Sequence, residues 1–233
     1  MQQLIKFKKA ETKNMLFLSD LHLGHDRDFI WGKRGFASSE EHDDFILGRL
    51  RDIVTEDTII FNLGDIVFND PNQERFKMIS ELPCAAHYLL WGNHNSGSLN
   101  TYRKARNACL SSIAGCDVES TTELYPLQHN NITFVGNDLT IRIGKLEIAM
   151  SHFPKHIWDH MGWGAWHLSG HSHGSDASRS VASDTGLCLD IGIEHALIWD
   201  DNPWFTYDDL KTIMDNKKVL IKDHHDDKTN PSR

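Results

Sequence analysis

The chain has 233 residues, 39% hydrophobic and 24% charged, with seven tryptophans and eleven phenylalanines spread along its length. That composition excludes a disordered chain and supplies one sizeable core, so a single α/β domain over 1–222 is expected, with a polar tail over 223–233. The formal net charge of -9 argues against a partner of extended nucleic acid, whose affinity comes mainly from Lys and Arg neutralising phosphates.

The first segment, "MQQLIKFKKAETKN", mixes charges into its apolar residues and has no continuous hydrophobic region, and no later run reaches the roughly 18 apolar residues of a membrane helix. A soluble, cytoplasmic protein with no membrane partner is expected. The four cysteines, Cys84, Cys109, Cys116 and Cys188, have neither the spacing of a metal motif nor the density of a disulfide framework, so they read as reduced thiols.

Along the chain, short apolar runs end in polar clusters: "MLFLSDLHLGH", "TIIFNLGD", "AHYLLWGNHN", "LEIAMSHFP" and "WHLSGHSHG". Runs such as Met15 to Leu18, Ile59 to Phe61 and Tyr88 to Trp91 suit strands buried on both faces, with the polar groups at their carboxyl ends. Between the first two, "SSEEHDDFILGRLRDIV" has a cap at Ser38 or Ser39, acids in its first turn and Phe45, Ile46, Leu50 and Ile53 at helical spacing. A second helix is expected over "NQERFKMISEL", closed by Pro83, and a third over part of "LNTYRKARNACLSSI". Beyond residue 120 the pattern alternates, and Gly136-Asn137 and Gly144-Lys145 read as hairpin turns. The expected architecture is two sheets packed as a sandwich and flanked by helices, with chemistry gathered at one edge.

That chemistry lies in an ordered set: Asp20-x-His22, Gly64-Asp65, Gly92-Asn93-His94, Ser151-His152 and Gly170-His171-x-His173. A lone Asp-x-His is usually surface or core polarity, but five such segments at strand ends are not explained that way. On extended backbone, residues two apart project to one face and converge. Carboxylate, amide and imidazole donors without cysteine suit Mn²⁺, Fe, Zn²⁺ or Ni²⁺ better than Ca²⁺ or a structural zinc cluster. Seven donors exceed one tetrahedral site and match two ions sharing a carboxylate, with Asp65 as the natural bridge.

Over roughly residues 15 to 195 these motifs, in this order, resemble the calcineurin-like metallophosphoesterases. "FLSDLHLGH", "LGDI" and "HLSGHSHG" look like the small prokaryotic and phage-type phosphohydrolases of that superfamily. The resemblance implies a four-layer fold, a double β-sandwich flanked by helices. It implies that Asp20, His22, Asp65 and His173 hold one ion and Asp65, Asn93, His152 and His171 the other, with Mn²⁺ the expected metal. It also implies that His94 faces the leaving group while a hydroxide shared by the two ions attacks phosphorus. The implied activity is hydrolysis of a phosphomonoester or phosphodiester, with a small phosphorylated metabolite or nucleotide as substrate.

The chain departs from serine/threonine phosphatases of the superfamily, having "GDIVFNDP" where they continue with Asp-Arg-Gly. It departs again at Asn95, which stands where the family usually has an acid; an amide orients His94 but supports an imidazolium less well than a carboxylate. Two other readings stay open, a nuclease of the same superfamily and a catalytically weak metal-binding interaction module.

The remaining candidates each carry a bland reading beside the sharp one. His25 either touches substrate or a carboxylate, or is a surface-loop histidine. His42 reads as structural. Arg103 and its neighbours Tyr102, Lys104 and Arg106 either grip a second phosphate or form a solvated helix face. Trp158, Trp163 and Trp166 either wall a base-stacking site or pack in the core. Asp190 and Glu194 come from a late apolar strand, where one of them is a candidate to orient a ligand imidazole. His224 and His225 belong to the tail.

Overall fold

A computed structural model describes residues 3–68, 74–94 and 127–220. They form a mixed α/β fold with two mixed sheets. One sheet has the order β1-β7-β8-β9-β10, from Gln3–Phe7, Asp138–Ile143, Leu146–Ser151, Trp166–Ser169 and Cys188–Asp190. The other has the order β11-β2-β3-β4-β6-β5, from Phe205–Thr206, Met15–Leu18, Ile59–Asn62, Ala86–Leu90, Ile132–Gly136 and Leu127–His129. β2, β3, β4 and β6 run parallel, as do β8, β9 and β10.

The apolar runs are buried on both faces for a reason visible in their alternation. Met15 and Phe17 of β2 join Phe61, Ile141, Ile148, Met150 and Leu168 in a core that draws on both sheets. Leu16 and Leu18, pointing the other way, join Ile60, Leu89 and Phe134 under Ile46, Leu47 and Leu50 of helix α2 and Phe76 and Ile79 of helix α3. Here α1 is the single turn Asp28–Trp31, α2 spans Ser39–Ile53 and α3 spans Glu74–Ser80. The cap of α2 is Ser38, whose hydroxyl accepts from the Glu41 amide at 3.1 Å. On the other sheet, Trp158, Met161 and Ala165 of an irregular segment pack on Ala149 and Cys188.

Two turn expectations divide. Gly144-Lys145 is a two-residue hairpin between β7 and β8, with Gly144 at φ 61°. Gly136-Asn137 is not a hairpin: β6 and β7 lie in different sheets, so the chain crosses between layers there. The expected helix over "NQERFKMISEL" appears as α3 in its described part, and the helix expected around "LNTYRKARNACLSSI" lies outside the described residues, as does the tail. Among the described residues, no helix is long and apolar enough to cross a membrane.

Candidate metal centre

The carboxyl ends of β2, β3, β4, β8 and β9 meet at one edge, which is where parallel sheets place their ligands. A lone bridge from Ser19 to Gly192 ties the two sheets together there. The expected ligands all follow these strand ends, five of them with backbone that is not extended. Asp20, His22, Asp65, His171 and His173 have φ of 58°, 49°, 53°, 70° and 47°, in the left-handed region that costs a non-glycine residue about 1–3 kcal/mol. The two-apart spacing therefore converges through tight turns, which corrects the extended-strand reading of both His-x-His and Asp-x-His.

Main-chain hydrogen bonds hold these turns. The amides of Asp20, His22 and Leu23 donate to the carbonyls of Gly64, Asp65 and Ile66 at 3.1, 2.9 and 2.9 Å, zipping together the loops after β2 and β3. Asp190 Oδ2 accepts from Ser172 Oγ at 2.5 Å and Gly174 N at 3.1 Å, while its Oδ1 accepts from Gly192 N at 2.8 Å. Asp190 thus fixes the backbone of the His171–His173 loop. Gly170 is required for close approach, since a Cβ there would stand 2.1 Å from Ser19 Oγ and 2.4 Å from Asp20 Oδ2.

The side chains gather in two linked groups. His22 Nε2 lies 3.2 Å from His173 Nε2, 3.7 Å from Asp65 Oδ2 and 4.0 Å from Asp20 Oδ1. His152 Nε2 lies 3.4 Å from Asp65 Oδ2 and 2.8 Å from Asn93 Oδ1, and His171 Nδ1 lies 2.9 Å from that same oxygen. Ligands about 2.1 Å from an ion are about 3.0 Å apart at right angles and about 3.4 Å apart in a tetrahedron, so these spacings are those of donors around a common ion. Asp20, His22 and His173, and Asp20, Asp65 and His152, each offer ligand atoms within 4.8 Å of one another. These residues lie close enough to hold a metal ion.

Asp20 supplies an independent reason. It is fully buried, and its Oδ1 has no hydrogen-bond partner among the described residues. Burial pushes its pKa up to about 7, and burial likewise drives His22 down to about 2, the directions expected where charge has lost water without compensation. Burial opposes charge on His152 and His173 too, yet Asp65 and Asp20 beside the first and Glu194 beside the second raise both imidazoles. Burial also opposes ionisation of Asp65, but His152 and its other polar neighbours outweigh it and hold that carboxyl below its ordinary range. The fold thus concentrates buried carboxylates and imidazoles, an arrangement that a cation stabilises.

Tautomers follow from the partners. His152 Nδ1 donates to the Leu63 carbonyl at 2.9 Å, leaving Nε2 as a lone-pair donor. His173 Nδ1 donates to Glu194 Oε1 at 2.9 Å with the same result. Of the two late acids, Glu194 is therefore the one that orients an imidazole. Glu194 lies well below the usual carboxylate range despite its burial, because Arg34 and His173 flank it.

His94 stands exposed at the rim, its ring 5.7 Å from that of His22 and 5.3 Å from Phe68, and its amide donates to Asp65 Oδ1 at 2.7 Å. His25 is buried against Phe68 and Phe29, at 4.1 and 5.2 Å between rings, and its Nδ1 accepts from the Arg27 amide. His42 is buried away from the ligands, between Arg34 and Asp43. Trp158 and Trp166 pack in the interior, whereas Trp163 is exposed and stacks on His160. Asn95 and Arg103 lie outside the described residues.

A third group, Glu147, Asp159 and His160, also has metal-like spacing. Its central carboxylate is already taken by protein cations, Arg142 on one oxygen and His160 on the other. The residue that sequence reasoning missed is Arg34, which in "WGKRGFASS" has no pattern separating it from a loop charge.

No protein-family model and no curated protein matches the chain. Among solved structures it is similar to the protein of unknown function AQ665 from Aquifex aeolicus, at 17% identity and a TM-score of 0.53, over 85% of this chain and 98% of that one. At that identity the likeness is one of fold. The fold and site together define a mixed α/β protein with a buried Asp/His centre able to hold a metal ion.

Proposed function

We propose that the chain is a dinuclear metal-dependent phosphoesterase of the calcineurin-like metallophosphoesterase superfamily, with the four-layer sandwich of that group. The observation that carries this reading is the meeting of Asp20, His22, Asp65, Asn93, His152, His171 and His173 at one sheet edge, with Asp65 between the two histidine groups. Asp20, His22, Asp65 and His173 would hold one ion, and Asp65, Asn93, His152 and His171 the other, with Mn²⁺ as the metal. Two such ions, when bound, neutralise a phosphate ester and lower the pKa of a water from about 15.7 toward neutrality.

The protein's own groups supply the rest. The His94 amide holds one oxygen of Asp65 and directs the other toward His22 and His152. The His94 imidazole, exposed at the rim, protonates the departing oxygen of the ester, a contribution of about 10² to 10⁴ in rate. His152 and His173 are locked by Leu63 and Glu194 in the tautomers that present Nε2 inward.

The test is turnover of bis-p-nitrophenyl phosphate and p-nitrophenyl phosphate by protein whose Mn²⁺ content has been measured, followed by a screen of phosphorylated metabolites and nucleotides. Turnover of either chromogenic ester that disappears on chelation supports the reading. Protein that carries two ions per chain and turns over no phosphate ester defeats it, and leaves a metal-binding interaction module.

A further inference from the structure

We propose that Arg34 is a positioning residue of the metal centre, setting the affinity of the subsite built from Asp20, His22 and His173 without touching metal or substrate. The proposal rests on the metal reading of the site. The Arg34 side chain is fully buried, and a buried guanidinium is costly unless its donors are all satisfied. Here all five N–H groups have acceptors. Nε and Nη2 donate to Glu194 Oε1 at 2.9 and 2.7 Å, Nη2 to the Asp20 carbonyl at 2.7 Å, and Nη1 to the Leu21 carbonyl at 3.1 Å and to His42 Nε2 at 2.8 Å.

Those acceptors form two arms that end on ligands. The first runs from Arg34 through Glu194 Oε1 to His173 Nδ1, so one carboxylate oxygen takes both the guanidinium and the imidazole that faces the site. The second grips the carbonyls of Asp20 and Leu21, which belong to the two peptide groups that carry the chain from one left-handed ligand, Asp20, to the next, His22. Beyond these, the bond to His42 Nε2 fixes that ring with its proton on Nδ1, where it meets Asp43 Oδ1 at 3.0 Å. Asp43 Oδ2 in turn accepts from the Gly24 amide at 2.8 Å. The start of α2 and Arg34 therefore brace the segment from Asp20 to Gly24 from both ends.

No other side chain type replaces this geometry: lysine keeps the charge but has three donors on one atom and cannot fork across Glu194 and two carbonyls. Removing partners behind a metal-ligating histidine costs about 10- to 100-fold in metal affinity. Calorimetric titration of metal-free protein with Mn²⁺ should show that Arg34→Lys weakens one of the two ions by that factor. Glu194→Gln, which keeps an acceptor for His173 but loses the charge, should weaken the same ion by less. Circular dichroism establishes that each variant is folded, and a purely structural role would lower the melting temperature without moving the dissociation constant.

If Arg34→Lys does not fold, Glu194→Gln decides, and wild-type affinity in that variant overturns the proposal. Wild-type affinity in a folded Arg34→Lys overturns it as well, while leaving the metal centre intact. A wild-type protein that takes up no Mn²⁺ removes the metal reading and this inference together.

Discussion

Gly92 is the position at which one added methyl tests the centre most directly. A Cβ there would stand 2.1 Å from Asp65 Oδ1, 2.8 Å from its Cγ and 2.7 Å from its main-chain nitrogen. Ordinary contact needs more than 3 Å, so Asp65 must retreat by about 1 Å, and the side chain cannot absorb this alone because the backbone nitrogen is also in the way. Asp65 is further held by its left-handed φ of 53°, by the His94 amide on Oδ1 and by the bond from His22 N to its carbonyl. A 1 Å displacement of catalytic machinery costs about 100-fold in rate, or about 2.7 kcal/mol at 1.36 kcal/mol per decade, and the overpacking costs a further 1–3 kcal/mol in stability, both order-of-magnitude figures. On the proposed phosphoesterase reading, Gly92→Ala should therefore lose about two decades of kcat/KM on a chromogenic diester and bind fewer than two Mn²⁺ ions per chain. Gly48→Ala is the control: it lies inside α2 with nothing within 4 Å of the added carbon, and should raise stability by about 0.5–1 kcal/mol with unchanged turnover. A Gly92→Ala protein with wild-type metal content and turnover within twofold would refute the placement of Asp65 at the centre.

His94→Ala should lower turnover by about 10² to 10⁴ while leaving both ions bound, as read by metal analysis beside initial rates; loss of metal in this variant would instead make His94 a ligand. His87 on β4 is buried with neither ring nitrogen hydrogen-bonded among the described residues, and burial drives its pKa down to about 3. Because the folded value lies below an unfolded value of about 6.5, its contribution to stability is present above about pH 6.5 and is lost as pH falls toward 3. Between about pH 7.5 and about pH 5 the loss is about 2 kcal/mol, so urea unfolding should show His87→Leu gaining that much on wild type over the interval. A gap that does not change with pH would mean that His87 titrates alike in the folded and unfolded states, and a gap that shrinks as pH falls would mean that it is protonated in the folded state.

The parts of this protein that were legible in its sequence are those written in local chemistry. Met15 to Leu18 announced burial on two faces because apolar residues leave no solvent side, and the sheets cover both. The cluster of candidate ligands could be picked out because Asp, Asn and His closely after apolar strands are poor choices for structure and good ones for a cation. Partnerships made across the chain were not legible. β1 lies parallel to β7, with Gln3 opposite Leu139, and five residues of "QLIKF" give no hint of a partner so distant. Gly136-Asn137 carries the same residue types as a hairpin, so only the sheet assignment of β7 distinguishes a turn from a crossing. Arg34 and Glu194 meet from 160 positions apart, and neither residue alone differs from a surface charge.

The backbone of the ligands argues for a site on grounds separate from their side chains. Left-handed aspartates and histidines are more strained than the glycine that could occupy those turns. Asp20, His22, Asp65, His171 and His173 together accept a cost of several kcal/mol at about 1 kcal/mol or more each, in a molecule whose whole stability is about 5–15 kcal/mol. Three of them, Asp20, His22 and Asp65, are also buried, so charge on them has lost the water that would otherwise stabilise it, and burial pushes Asp20 up to about 7. Both costs fall on side chains that converge, and a cation bound between them, as proposed, would reduce both. Asp190, the Gly64–Ile66 carbonyls and Arg34 hold the turns in place, so the donors would not have to be gathered for an ion to bind. Preorganisation of this kind makes affinity sensitive to the bracing residues, and that sensitivity separates a working centre from a chance cluster of histidines.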